Sequence, residues 1–284
     1  MEFAKLLVGV GSAVREGVRY VPEPVKDPLR QYELGTKASE AYRAVLSPFV
    51  PAEERITSHG LTLRFKIANV DEYLLFQRYP ETDASFPVLG DILDHLKPDD
   101  VFWDVGANIG IYTCFAAAKL QSGYVVGVEP NPNNVARIEE NLALNGLSAD
   151  VYQRALLAER ESGERTLKIT EDAGAGEFGY LSDRASDGIR VETTTGDALV
   201  DGDVPAPDVL KVDVEGAEFE VLKGLERSIA GCRLVYLDVI TSDSYYEASA
   251  PATELYDWLD DRGFETERLW DWDGGHFVRA ERSA

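Results

Sequence analysis

The feature that most constrains this chain is the run Asp104-Val105-Gly106-Ala107-Asn108-Ile109-Gly110. It follows a short apolar stretch beginning at Val101 and leads into a helical pattern over 109–120. Glycines at that junction let the backbone turn from strand to helix and let a ligand come close to it. In a doubly wound sheet, ligands bind outside the carboxyl ends of the strands, near the switch point of strand order. The pattern then repeats. Strands are expected at 124–128, 151–154, 189–194, 209–212 and 234–239, and helices at 133–145, 216–229 and 253–262, with Gly146 closing the first of these. Strands alternating with helices require a mainly parallel sheet covered on both faces. Segments 264–270 and 276–280 can pair through Gly274-Gly275, which makes the sheet mixed. Between these elements, 164–170 reads as a hairpin and 172–182 as a glycine-rich loop.

Upstream, 36–46 looks helical, 56–67 alternates around His59-Gly60 as a hairpin, and 86–96 forms a helix. Residues 1–87 are therefore expected to be a helical and hairpin extension, and 88–284 the α/β domain. In 1–21, Phe3, Leu6, Leu7, Val10, Val14, Val18 and Val21 fall at helical spacing. Such a face must be covered by its own domain, by a second subunit or by a membrane surface. The apolar run is too short to span a bilayer, and the basic start of a signal peptide is missing.

The ends of the strands carry the chemistry. Gly-x-Asn-x-Gly does not match the Gly-x-Gly-x-x-Gly dinucleotide fingerprint. Asp104 ahead of the glycines suits a cationic amino group better than a pyrophosphate, and Asn108 can fix the loop or hold a ligand. Glu129 ends the next strand, where a carboxylate can accept two hydrogen bonds from a ribose diol. Glu129-Pro130-Asn131 also starts a helix, so capping competes with binding. An amine and a ribose together describe S-adenosylmethionine. Asp213 and Glu215, at the end of the 209–212 strand, are candidates to orient or deprotonate a hydroxyl; helix capping competes for Glu215. Lys211 lies inside an apolar strand, needs a partner and reads as structural.

Other chemistries find less support. His59, His95 and His276 are not spaced with other ligands as a zinc site requires. The sequence requires no metal, although Asp213, Glu215 and Asp238 could hold one if adjacent. Trp270-Asp271-Trp272-Asp273 reads as packing or as a polar aromatic loop able to stack on a sugar. With 51 acidic and 28 basic residues, the net charge of −23 repels phosphate backbones, so nucleic acid is an unsuitable partner. Acid excess with few lysines is also the composition of proteins that work in molar salt, where such repulsion is screened. The two cysteines, Cys114 and Cys232, make no disulfide framework, which fits a reduced, cytoplasmic setting.

Three runs bear a resemblance beyond these readings: 100–113, Val128-Glu129-Pro130-Asn131, and 210–224 containing Lys211-Val212-Asp213-Val214-Glu215-Gly216. In order and spacing they resemble the FkbM-type methyltransferases over roughly 88–270. The resemblance implies a class I methyltransferase fold, Rossmann-like, with S-adenosylmethionine as cofactor and O-methylation of a hydroxyl on a sugar, glycan or small metabolite. It implies cofactor contacts from Asp104, Gly106, Ala107, Asn108, Gly110, Glu129, Pro130 and Asn131, and a substrate side at Asp213 and Glu215. The family's histidine after the fifth strand is absent from Leu237-Asp238-Val239-Ile240. A nicotinamide-dependent dehydrogenase and a non-catalytic cofactor-binding module are the competing expectations.

Overall fold

The structure is a computed structural model that describes residues 43–77, 87–158, 164–169, 179–182, 188–241, 250–272 and 274–283. The expected helix at 1–21 lies outside them, as does 36–42 of the next; residues 43–46 are helical. Strands β1 (Glu53–Ser58) and β2 (Leu61–Lys66) form the expected antiparallel hairpin. His59 and Gly60 take φ of 47° and 77°, the left-handed pair that a tight two-residue hairpin turn requires. Helix α1 (Val70–Gln77) follows, then α2 (Pro87–His95). Helix α1 is not legible as an amphipathic period because apolar residues stand on most of its sides. Val70, Tyr73, Leu74 and Phe76 are all buried.

The α/β part begins at β3 (Val101–Val105), followed by α3 (Ile111–Lys119), β4 (Tyr124–Val128), α4 (Pro132–Asn145) and β5 (Asp150–Tyr152). Helix α3 starts later than its pattern suggests. Asn108 and Gly110 are both left-handed, with φ of 51° and 83°, so helical backbone cannot begin before Ile111. After β5 the chain leaves the main sheet. Strands β6 (Ala155–Leu156), β7 (Glu164–Ile169), β8 (Gly179–Ser182) and β9 (Ile189–Thr194) form a separate four-stranded sheet in the order β6-β9-β7-β8. The expected loop at 172–182 thus contains a strand, and the rest of that loop lies outside the described residues.

Helix α5 (Gly196–Asp201) returns the chain to β10 (Val209–Val212), α6 (Glu218–Gly224), β11 (Leu234–Ile240), α7 (Ala252–Asp260), β12 (Phe264–Trp272) and β13 (Gly275–Arg282). The single helix expected over 216–229 is two pieces. Gly216 is left-handed at φ 104°, and after Gly224 the chain tightens into a 3-10 turn at Ser228–Gly231. At Gly224 a Cβ would sit 2.2 Å from the Leu157 carbonyl, so only glycine lets α6 pack this close to the 157–158 backbone. The main sheet has the order β12-β13-β11-β10-β3-β4-β5. Strands β11, β10, β3, β4 and β5 are parallel, and β13 is antiparallel to both β11 and β12. This is the mixed, mainly parallel sheet of a class I methyltransferase fold. The order reverses between β3 and β10, which places the switch point at the glycine run.

Two hydrophobic layers cover the faces. One joins α2, α3 and α4 to the sheet, and the other joins α5, α6 and α7. The β1–β2 hairpin belongs to the first layer. Phe65 is fully buried and stacks on Phe76 and Phe115. Asn141 and Asn145 of α4 accept from the Lys66 and Arg64 amides, and Arg137 pairs with Glu72 of α1. Truncating Phe65 removes the ring at the centre of this layer. Phe65→Ala is expected to lower stability by about 3–5 kcal/mol, read as a lower urea midpoint. An unchanged midpoint would show that the hairpin rests on the core without contributing to it.

Candidate functional site

Three strand ends meet at a cavity of about 240 Å³. At the end of β3, the Gly106 and Ala107 amides donate to the Val128 carbonyl at 2.9 and 3.1 Å, folding the loop across β4. Gly106 is left-handed at φ 78°, and a Cβ there would lie 1.8 Å from the Asp213 carbonyl oxygen. The loop after β3 and the chain after β10 therefore touch backbone to backbone, which no other residue type allows. Asn108 donates its amide to Glu129 Oε2 at 2.9 Å, while its own Oδ1 is buried without a hydrogen-bond partner. A buried acceptor left open beside a cavity calls for a donor from a ligand. Gly110 stands back from the cavity, where a Cβ would press on Ile138 at 3.0 Å; its role is to seat α3 against α4.

At the end of β4, Glu129 is held by its neighbours. Oε1 accepts from the Asn131 amide at 2.9 Å and from Asn134 Nδ2 at 3.4 Å. Burial pushes its pKa up to about 7, against the lowering effect of these donors. Glu129 and Pro130 line the cavity. Asn131 does not. It is fully buried and caps α4 by accepting from the Asn133 amide at 3.0 Å.

Asp104 differs from its expected role. Its side chain is 0 % exposed, and it is absent from the cavity wall. Oδ2 accepts from the Thr113 amide and hydroxyl at 3.0 and 2.7 Å, and Oδ1 accepts from Lys211 Nζ at 3.0 Å. A ligand amine would have to displace Lys211, so Asp104 serves as Lys211's partner rather than as the amine-binding group. Lys211 is 1 % exposed; burial alone would lower its pKa, but Asp104 and Asp213 together hold it above its ordinary value. Its ammonium also lies 3.5 Å from Asp213 and 4.7 Å from the centre of the Tyr112 ring.

At the end of β10, Asp213 and Glu215 both line the cavity. Asp213 is 28 % exposed and is anchored by its amide on the Val105 carbonyl at 3.0 Å. Glu215 is left-handed at φ 56°, a costly conformation for a side chain of its type. Burial, then the charges of Asp213 and Glu218, push its pKa up to about 8. Glu218 accepts from the Gly216 and Val214 amides at 3.0 and 3.3 Å, which fixes the turn. Asp238 accepts from Trp272 Nε1 at 2.8 Å, and burial followed by Asp213 pushes it up to about 9. Asp213, Glu215 and Asp238 do not converge as metal ligands: among the described residues no group of three His, Cys, Asp or Glu side chains is placed to hold an ion.

Of the remaining walls, only Trp270 belongs to a run that the sequence singled out. Leu167 and Leu181 of the small sheet close one side, and Trp270 and Phe277 of the terminal hairpin close another. Trp270-Asp271-Trp272 is strand rather than loop, and Asp273 lies outside the described residues. The cavity thus offers a buried carboxylate, a glycine cradle, an open amide oxygen and an exposed carboxylate. That set suits a nucleoside-bearing cofactor on the Glu129 side and an acceptor on the Asp213 side.

Residues 104–266 match the model of the methyltransferase FkbM domain. The chain is 31 % identical over 181 residues to the hexuronic acid methyltransferase AglP of Haloferax volcanii, covering 63 % of this chain and 71 % of that protein. It is 29 % identical over 150 residues to methyltransferase 1 of Beauveria bassiana, covering 45 % of this chain and 60 % of that protein. Among solved structures it is similar to methyltransferase FkbM from Methylobacillus flagellatus, at 15 % identity and a TM-score of 0.44, covering 66 % of this chain and 45 % of that one.

Removing one member of a buried ion pair leaves the other charge uncompensated. Lys211→Met is expected to cost about 3–5 kcal/mol of folding free energy, measured by urea unfolding. A wild-type midpoint would show that Asp104 sheds its charge at no cost and that the pair is not a structural tie.

Proposed function

This chain belongs to the FkbM methyltransferase family, and we propose that it transfers a methyl group from S-adenosylmethionine to an oxygen of a sugar or sugar-derived metabolite. The observation that carries the proposal is Glu129. Its carboxylate stands at the end of β4, oriented by the Asn108 and Asn131 amides, beside a glycine loop with an unpartnered Asn108 oxygen. Family membership decides between methyl transfer and the dehydrogenase expectation in favour of methyl transfer.

The residues present fit this cofactor. Glu129 would hold the ribose diol, and the backbone of Gly106 and Ala107 would let the ligand lie against the strand ends. Asn108 Oδ1 would take a ligand N–H or O–H, and Pro130 would bound the nucleoside side. Asp104, Gly110 and Asn131 support these contacts from behind. When bound, S-adenosylmethionine supplies a methyl group made electrophilic by its sulfonium. The protein's contribution is alignment and exclusion of water. Asp213, exposed to the cavity at the end of β10, would take a proton from an acceptor hydroxyl, a role supported by its access to the cavity. Glu215, raised to about 8, keeps a proton at neutral pH and can donate to an acceptor oxygen.

The sugar class is supported by the relative named for hexuronic acid. A uronic acid offers two kinds of oxygen, and they make different demands. A hydroxyl must lose its proton, whereas a carboxylate has none to lose. The cytoplasmic setting is part of the proposal and is supported by the two buried free thiols, Cys114 and Cys232. Among the described residues no helix is long and apolar enough to cross a membrane. For residues 1–21, packing on the protein's own domain or a second subunit is preferred to membrane contact. That segment lacks the basic cluster that anionic lipids attract.

The test is transfer of labelled methyl from S-adenosylmethionine to glycan and lipid extracts, with products read by mass spectrometry. Label on a saccharide is expected. Binding of S-adenosylhomocysteine with no transfer to any fraction would make the chain a non-catalytic module. On a hydroxyl acceptor, Asp213→Asn is expected to slow turnover on the order of 10²-fold or more. A parent rate on that acceptor, in a variant that still binds S-adenosylhomocysteine, would show that Asp213 is not the base.

A further inference from the structure

Trp270 is one of the large apolar side chains exposed among the described residues, 46 % accessible on a strongly acidic protein. It is also part of the cavity wall. Its position is built rather than incidental. The β12–β13 pairing slips between Arg268 and Trp270, so Leu269 is an extra residue on β12 and Trp270 stands opposite Phe277. Such bulges re-aim a side chain. Here Leu269 packs into the core layer, and the neighbouring indole stacks on Phe277 at 6.4 Å between ring centres. Phe277 is 6 % exposed and lines the same cavity, so it backs the indole while the indole's other face stays open. Beside the ring, Arg268 and Asp271 form an exposed ion pair at 2.6 Å, a source of hydrogen bonds at the rim.

The strand order says which ligand the indole serves. Glu129 ends β4, and Trp270 lies on β12, five positions along the sheet. At ~4.8 Å per strand that is roughly 24 Å between backbones. Asp213, just past the end of β10, lies between them. The indole is therefore on the acceptor side of Asp213, away from the nucleoside side. A flat aromatic face with carboxylates nearby suits a ring that has an apolar C–H face and a polar edge, which describes a pyranose.

We infer that Trp270, backed by Phe277, is the platform on which the pyranose ring of the acceptor stacks. The inference rests on the sugar-acceptor reading and adds to it the residue that selects for a ring. The test uses the full chain with S-adenosylhomocysteine, probed by saturation-transfer NMR with methyl glucoside and methyl glucuronide, and with acyclic sorbitol as control. Ring C–H protons of one or both glycosides should receive saturation, and sorbitol should not. Trp270→Ala should weaken glycoside binding roughly three- to tenfold, the range of an aromatic contact, and Trp270→Phe should restore most of it. S-adenosylhomocysteine affinity by calorimetry should be unchanged in both variants. Unchanged glycoside binding in Trp270→Ala would overturn the platform and leave the sugar reading standing. Loss of S-adenosylhomocysteine affinity would overturn it by placing the indole against the cofactor. Absence of glycoside binding to the wild-type protein would overturn the sugar reading and the platform together.

Discussion

Burying a lysine in the middle of a parallel sheet is the constraint around which this molecule is arranged. An ammonium taken out of water is tolerated only with a close counter-charge and further acceptors. Lys211 has Asp104 on the adjacent strand at 3.0 Å, Asp213 at 3.5 Å and the Gly106 carbonyl at 3.4 Å. Asp104 lies on β3, while Gly106 and Asp213 belong to the two loops that line the cavity. The pair thus ties the carboxyl ends of β3 and β10 together at the point where the strand order reverses. Gly106 completes the tie by letting the loop backbone rest against Asp213.

Around that tie the carboxylates divide their work by environment. Asp104 is closed off by Lys211 and Thr113 and supports structure. Glu129 is buried but hydrogen-bonded by backbone amides, which fix its carboxylate at the end of β4. Asp213 keeps access to solvent beside a cation. Glu215, Glu218 and Asp238 have pKa values raised to about 8, 7 and 9, so each favours its protonated form more than it would in the unfolded chain. Raised acids contribute stability that is fully present below their unfolded pKa. It is lost progressively as pH rises from about 4 through the folded values of about 7 to 9.

Much of this was legible in the sequence because short apolar runs and glycines act locally. The strands at 124–128, 189–194 and 209–212 have their expected bounds, and Glu129, Asp213 and Glu215 stand at the strand ends where the pattern puts them. What was hidden depends on tertiary contact. The partner of Asp104 lies 107 residues away, so no local pattern shows that Lys211 rather than a ligand neutralises it. The small sheet was obscured because β6 is only two residues long and β8 sits among glycines. The strand expected over 264–270 runs on to Trp272, and the bulge at Leu269 interrupts the alternation that would have shown it. For Lys211, the signal was present: a lysine among Val209, Leu210 and Val212 must be paired, and an acid on a neighbouring strand is the natural candidate.

The central claim is that Glu129 holds a ribose at the end of β4. The direct measurement is calorimetry of S-adenosylhomocysteine binding at pH 7, repeated in buffers of different ionisation enthalpy. With its pKa raised to about 7, Glu129 is partly protonated in the free protein, and diol hydrogen bonds to the carboxylate favour its charged form. The wild-type protein should release roughly half a proton on binding. Glu129→Gln should lose that release and bind roughly ten- to hundredfold more weakly. Equal affinity and equal proton release in the two proteins would contradict the claim.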